Sequence, residues 1–143
     1  MQLSNEVKFT RCTTQQTAGT SDQEGSAIDM QGYDGVVFIT TFGTANDGNH
    51  LKAQQDENDD SGFGDAEDLE DTKTVSTGAN NTVVLDVYRP QQRYIRAVGV
   101  RTASSTIGPI FAMQYKGRLR PEDNDVTDTI ARELVVSPDA GTA

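Results

Sequence analysis

The feature that most constrains the fold is a hydrophobic run at residues 36–42, with the sequence VVFITTF. β-Branched and aromatic side chains fill this run, which is too short and too rich in them for a helix. Side chains alternate along a strand, so one face carries Val36, Phe38, Thr40 and Phe42, and the other carries Val37, Ile39 and Thr41. Both faces are largely apolar. The run therefore predicts a central strand covered on both sides, as in a sandwich or a rolled sheet.

Further short strands are predicted around it, with turn signals between most of them and no helical period. They cover residues 6–11 (a short strand or an ordered N-terminal arm), 50–55, 72–76, 82–88, 92–100 and 110–116, whereas residues 13–25 and 102–106 are predicted as polar loops. Asp47 and Gly48 predict a hairpin turn between the central strand and residues 50–55. In the last strand we expect Phe111, Met113 and Tyr115 to face inward, and Gln114 and Lys116 outward. The pattern indicates an all-β fold, either an antiparallel β-sandwich or a jelly-roll-like barrel.

The length of 143 residues indicates a single domain over residues 1–143. We divide it into an N-terminal arm and loop (1–26), a core (27–117) and an extended C-terminal arm (118–143). Residues 1–20 contain no apolar stretch of signal-peptide length, and no run in the chain reaches membrane-spanning length. We therefore expect synthesis and folding in a cytosol, without a membrane partner.

The charge is unevenly distributed along a chain whose net charge is −10. Residues 1–86 hold sixteen acids and four bases, whereas residues 87–121 hold no acid and seven bases: Arg89, Arg93, Arg96, Arg101, Lys116, Arg118 and Arg120. This basic segment lacks aromatic platforms for bases, a glycine-rich phosphate loop and a recognition-helix pattern. An acidic protein also repels phosphate. We expect no nucleic-acid partner, and acidic surface of the same or a neighbouring subunit opposite these bases.

A calcium site is the sharpest alternative for residues 56–71, which contain nine acids. Asp56, Asn58, Asp60 and Glu67 match positions 1, 3, 5 and 12 of a calcium-loop template, but Ser61 stands where the template needs glycine. We expect a solvated acidic loop with one helical turn at 65–70 and no bound metal. A looser calcium site in a calcium-stabilised structural subunit remains the alternative.

No catalytic pattern is visible in the sequence. The single cysteine, Cys12, excludes an intrachain disulfide and is expected to be a small buried side chain, because nothing pairs it with the single histidine, His50. We expect His50 to be solvated or hydrogen-bonded. Ser104 and Ser105 lack a recognisable base, and the chain has no tryptophan to hold a sugar beside its many carboxylates. The sequence therefore predicts a protein that is not an enzyme and needs no cofactor.

Five segments together resemble small structural proteins of tailed bacteriophages encoded near the major capsid protein. They are IDMQGYDGVVFITTFG at 28–43, LKAQQ at 51–55, VVLDVYRPQQRYIRAV at 83–98, QYKGRLRP at 114–121 and VVSPDAGTA at 135–143. The resemblance is to capsid decoration or cement proteins, which are β-rich, often trimeric and bound to the outside of the head. It implies a virion location on the outer surface of the head, the major capsid protein as partner, and a homotrimer.

Two sets of residues are the candidate contacts with capsid or neighbouring subunits. The polar set is Arg89, Arg93, Arg96, Arg101, Arg118 and Arg120, and the apolar set is Leu134, Val135 and Val136. Two alternatives stay open: a receptor- or carbohydrate-binding module of the virion, and a structural component of the tail or collar.

Overall fold

Short strands dominate the computed structural model, which describes residues 2–44, 46–58, 63–118, 122, 124, 130–136 and 140–141. The helical turn α1 spans Leu3–Glu6, and the strands are β1 (Lys8–Arg11), β2 (Gln16–Gly19), β3 (Gln23–Glu24), β4 (Ile28–Asp29), β5 (Gly35–Phe42), β6 (His50–Asp56), β7 (Glu67–Asp68), β8 (Thr74–Val75), β9 (Asn81–Tyr88), β10 (Tyr94–Val100), β11 (Ser105–Ile107) and β12 (Phe111–Tyr115). All of their pairings are antiparallel. The all-β sandwich or barrel class predicted from the sequence is confirmed.

The first sheet, called the β5 sheet, is built on the hydrophobic run. One edge of β5 pairs along its whole length with β9, from Gly35 opposite Tyr88 to Phe42 opposite Asn81. Its other edge pairs with β12 and then, at Phe42, with β11. β1 and β2 follow outside β12 and β11. This sheet is therefore four strand positions wide, two of which are filled by interrupted strands.

The second sheet, called the β6 sheet, has the same plan. β6 and β10 form its central pair, with Ala53 opposite Ala97. β3 and β4 share the outer edge of β10, and β7 and β8 share the outer edge of β6. A helical turn was expected at residues 65–70, and this prediction is wrong, because Glu67 and Asp68 pair with β6 as a strand.

The core lies between the inner faces of the two sheets. Its fully buried large side chains include Phe38 and Phe42 from the β5 sheet and Leu51 and Ile95 from the β6 sheet. Burial of each contributes roughly 1.5–3 kcal/mol to stability as an upper estimate. The side chains of β9 alternate as their apolar pattern indicates, because Val83, Leu85 and Val87 face this core.

The outward face of β5 differs from expectation. Val37, Ile39 and Thr41 are only partly buried, whereas the inward residues of the same strand are almost completely buried. No second layer therefore encloses this face within the described residues, and the prediction of a strand covered on both sides is wrong.

Strands that lack an apolar period were not predicted from the sequence. β2 and β3 lie in the stretch 13–25 that was predicted as a loop, and β11 lies partly in the loop predicted at 102–106. Main-chain pairing with a distant partner holds each of them, as Gly19 opposite Ser105 illustrates. The N-terminal region therefore contributes strands to both sheets.

A buried polar cluster closes one end of the sandwich. Asn49 is fully buried, and its side-chain amide donates to Ser105 Oγ at 2.8 Å and accepts from the Thr102 N–H at 3.0 Å. The Arg101 guanidinium donates to three main-chain carbonyl oxygens, those of Thr17, Ser21 and Ser105, at 2.7–2.8 Å. These bonds join the loops at that end, so the cluster is structural. In the described part of the chain the only helix is α1, and no helix there could span a membrane.

Candidate interaction surface

The alternation of β12 is opposite to the one expected from its composition. Ala112 and Gln114 are buried and lie opposite Phe38 and Val36 on the inner face. Phe111, Met113 and Tyr115 consequently point outward, so their predicted inward orientation is wrong. The physical reason lies at Gln114, whose side-chain amide donates to the carbonyl oxygen of Asp29 at 2.7 Å inside the sandwich.

This alternation creates an exposed apolar face on the outside of the β5 sheet. The apolar face consists of Val37, Ile39, Val84, Phe111 and Met113. Ile39 lies between Val84 and Phe111 in one cross-strand row, while Met113 lies beside Val37 in the next. Val84 is 52% exposed and Phe111 is 40% exposed. A contiguous apolar patch on a sheet is typical of an interaction site.

Polar side chains border the apolar face at both ends. At one end the Tyr115 hydroxyl donates to Asp86 at 2.7 Å, and its ring lies over Gly35, where any larger residue would meet it. Partial burial, together with that bond to a carboxylate, raises the pKa of Tyr115. At the other end the hydroxyls of Thr41 and Thr82 are 3.0 Å apart. An apolar centre with a polar rim is the usual composition of a protein interface.

Two cations hold the exposed Tyr88 at the same rim. The Arg89 guanidinium and the Lys116 ammonium each lie 5.1 Å from the centre of the Tyr88 ring. Cations at that distance are attracted to the face of an aromatic ring. Positive charge from the basic segment, residues 87–121, is therefore present at one border of the apolar face.

The outer face of the β6 sheet is polar by comparison. Lys52 and Asp68 form an ion pair at 2.8 Å, and the Gln54 side chain also donates to Asp68. These two bonds lower the pKa of Asp68. Arg96 extends the network to Gln54 at 2.8 Å and Glu24 at 3.1 Å. The charged side chains on the outer face of the β6 sheet are paired with each other, whereas the outer face of the β5 sheet is apolar. The β5 sheet is therefore the better candidate for docking.

The C-terminal segment, residues 130–136, begins beside the apolar face. Ile130 and Ala131 line an apolar groove of about 320 Å³ with Phe9 and Phe111. Arg132 ties the segment to α1 through bonds to the Ser4 carbonyl oxygen and the Asn5 side chain. The following residues are exposed, with Leu134 at 40%, Val135 at 56% and Val136 at 70%. The apolar set predicted from the sequence therefore lies on the surface.

Asn124 is bonded to the edge of β1. Its side-chain oxygen accepts from the Phe9 N–H at 2.9 Å, and its amide donates to the carbonyl oxygen of Val7 at 2.7 Å. Glu122 is held nearby, since its carboxylate accepts from the Tyr33 hydroxyl at 2.7 Å. Desolvation and this bond raise the pKa of Tyr33.

Two clefts flank the turn at residues 89–92, and their charges differ. The basic cleft, about 580 Å³, is lined by Arg89, Arg93 and Arg118 with Tyr33 and Asp34. The acidic cleft, about 530 Å³, is lined by Glu67, Asp68 and Glu70. Arg89, Pro90 and Gln91 line both clefts and therefore separate them.

The predicted arginine contacts fall into three groups. Arg89, Arg93 and Arg118 are exposed in the basic cleft, where Arg93 donates twice to Asp29. Arg96 and Arg101 are buried, and their donors are used within the chain. We therefore correct the role expected for these two: they stabilise their own subunit. Arg120 lies outside the described residues.

The remaining side chains considered for catalysis or metal binding are the cysteine, the histidine and the acidic stretch. Cys12 is buried, and desolvation raises the pKa of its thiol to about 12, as expected for a small core residue. His50 shares a hydrogen bond with the Gly48 carbonyl oxygen at 2.6 Å. Within the acidic stretch, Asp60 and Ser61 lie outside the described residues. Across the described ranges, no three His, Cys, Asp or Glu side chains are grouped to hold a metal ion.

No protein-family model matches this chain, and a search of the curated proteins finds no match either.

The apolar face was the feature that sequence reasoning missed. Its signal was present in the apolar outward residues Val37 and Ile39, which were interpreted as evidence for a covering layer. The apolar face and its rim offer apolar area and charge for non-covalent docking.

Proposed function

We propose that this protein is a structural subunit of a tailed-bacteriophage virion that binds the outside of the assembled head and bridges major capsid subunits. The observation that carries the proposal is the exposed apolar face with its polar rim. The sequence resemblance to decoration and cement proteins supplies the partner. In this role the protein acts as a homotrimer and stabilises the head without chemistry.

The apolar face supplies the favourable free energy of docking in this mechanism. Burial of apolar area contributes roughly 25 cal/mol per Å², and only the surplus over the entropy cost of association becomes affinity. Val84 and Phe111 expose the most side-chain surface on this face, so they are its expected energetic centre. The rim would exclude water around them.

Charge at the rim sets orientation. Arg89 and Lys116 stand beside Tyr88 at one border of the apolar face, so that border attracts acidic groups of a capsid subunit. Electrostatic complementarity at an interface contributes more to register and on-rate than to affinity. The exposed Leu134, Val135 and Val136 extend the apolar contact beyond the sheet.

Stabilisation of the head follows from mass action. A subunit that binds the assembled shell and not free capsid protein stabilises the shell by RT ln(1 + [L]/Kd). A trimer presents each contact three times, so modest contacts gain through effective concentration. The shell would therefore resist heat or osmotic shock better with the protein bound.

The experiment is addition of purified protein to heads that lack it, followed by co-sedimentation and imaging. Val84→Asp places a charge in the apolar face and should abolish binding, because the charge would be desolvated on docking. Val75→Asp is the matched control, since Val75 is 44% exposed on the other sheet and should bind normally. Normal binding of Val84→Asp, or density at the tail tip alone, would reject the proposal in favour of another face or a tail component.

A further inference from the structure

The turn at residues 89–92 is a rigid divider between the basic and acidic clefts. The Gln55 side-chain oxygen accepts from the N–H groups of Gln91 and Gln92 at 3.2 and 3.4 Å, and Gln55 is only 7% exposed. The Arg89 N–H donates to the Asp34 carbonyl oxygen at 2.7 Å. The two clefts therefore keep a fixed spatial relation in every copy of the chain.

Each cleft carries a net charge, although Arg89 also lines the acidic cleft and Asp34 also lines the basic cleft. Glu67 and Glu70 line the acidic cleft and form no ion pair with any described residue. Arg118 is exposed in the basic cleft and likewise forms no ion pair within the described ranges. Opposite charges on the two sides of one turn make the surface electrically complementary to itself.

We propose that a second copy of this chain occupies these clefts, with the basic cleft of one subunit packed against the acidic cleft of the next. Each subunit has both halves of the contact, so it can repeat head-to-tail around a closed ring. The inference rests on the self-association included in the proposed function and assigns the surface that mediates it. Charge pairing here also opposes the repulsion between copies that each carry −10.

The salt dependence of association separates this contact from an apolar one. Salt screens the attraction between oppositely charged clefts, so added NaCl should dissociate the oligomer. For an apolar contact the main electrostatic effect is general repulsion between copies, so NaCl should strengthen association. Light scattering on purified protein from about 20 to 500 mM NaCl measures whether salt weakens or strengthens association.

Charge reversal tests the pairing itself. Arg118→Glu and Glu70→Arg should each weaken association about tenfold or more at low salt, and the double variant Arg118→Glu/Glu70→Arg should recover it. Lys8→Glu is the control, because Lys8 is exposed, lines neither cleft and changes the net charge as Arg118→Glu does. Unchanged melting curves verify folding, and Arg118→Gln provides a milder second variant.

Several results would overturn the assignment. A monomer at all salt concentrations, an oligomer that NaCl strengthens, or a double variant as weak as the single ones each excludes the cleft-to-cleft contact. Head binding is measured separately with the unaltered protein. Failure of the unaltered protein to bind heads rejects the proposed function, whereas normal association of both single variants rejects only this contact.

Discussion

The Gln114 side-chain amide donates to the main-chain carbonyl oxygen of Asp29 at 2.7 Å, and this bond joins the two sheets through the core. Gln114 is 2% exposed, so the donor of this bond is shielded from water. A buried carbonyl group without a partner is costly, which favours glutamine facing inward even though aromatic neighbours would then face outward. One polar contact thus accompanies the exposure of Phe111 on the apolar face.

Replacement of Gln114 by leucine should destabilise the fold by about 1–3 kcal/mol, because the Asp29 carbonyl loses its buried donor. Urea denaturation measures the change. Gln91→Leu is the control, since Gln91 is exposed and its side chain should matter little. Equal stability of Gln114→Leu and the unaltered protein would contradict the role of the bond.

Two phenylalanines test which face of the β5 sheet is the core. Phe38→Ala should cost about 3–5 kcal/mol, because Phe38 is fully buried and the substitution leaves a cavity. Phe111→Ala should cost far less, because Phe111 is 40% exposed. Thermal or denaturant unfolding of both variants gives the comparison. Similar losses would mean that the outer face is also covered.

Arg101→Lys should destabilise the protein by about 2–4 kcal/mol, because a single ammonium group cannot reproduce the planar fork that reaches three carbonyl oxygens. Differential scanning calorimetry measures the loss. The same exchange at the exposed Arg89 should change stability by less than about 0.5 kcal/mol. A stable Arg101→Lys protein would show that the buried cluster tolerates loss of those bonds.

Asp29 should titrate below the ordinary aspartate value of 3.8, since the hydrogen bonds from Arg93 lower its pKa. A lowered pKa in the folded state stabilises the fold above the unfolded value, and this contribution disappears as the pH falls through the folded value. In Arg93→Gln the Asp29 pKa should therefore rise towards 3.8, as NMR titration would show. The stability difference between the two proteins should shrink in acid. A pKa that does not move would exclude the pairing.

Serine at positions 134–136 should leave folding stability within about 0.5 kcal/mol of the original, because all three side chains are exposed. The same triple variant should bind heads more weakly if the C-terminal segment extends the docking surface. Melting curves and co-sedimentation provide the two readouts. Undiminished binding would confine the contact to the apolar face.

The sequence predicted the strands whose own alternation carries the information. β9 places apolar residues inward at every second position, so hydrophobic burial selects the same face that the pattern indicates. Asp47 and Gly48 also mark a turn before β6, where Gly48 adopts a φ of +92°. The hairpin predicted there is wrong, because β5 and β6 lie in different sheets.

Prediction failed where a distant partner decides the outcome. β2 and β11 lack an apolar period and pair with each other across more than eighty residues of sequence. β12 contains an apolar residue at almost every position, so either face could be buried. Its orientation depends on Gln114 reaching Asp29, a contact that no local pattern encodes. The contribution of Phe111 and Met113 to the apolar face was missed for the same reason.

The N-terminal strands pair with strands that lie far along the chain, and this pairing determines when folding can finish. β1 pairs with β12, and β3 pairs with β10, so β1 and β3 acquire these partners only after β10 and β12 have been synthesised. Contacts so far apart in sequence close slowly, as they do in other all-β domains. Until then the nascent chain carries unpaired strand edges, which are templates for misassembly.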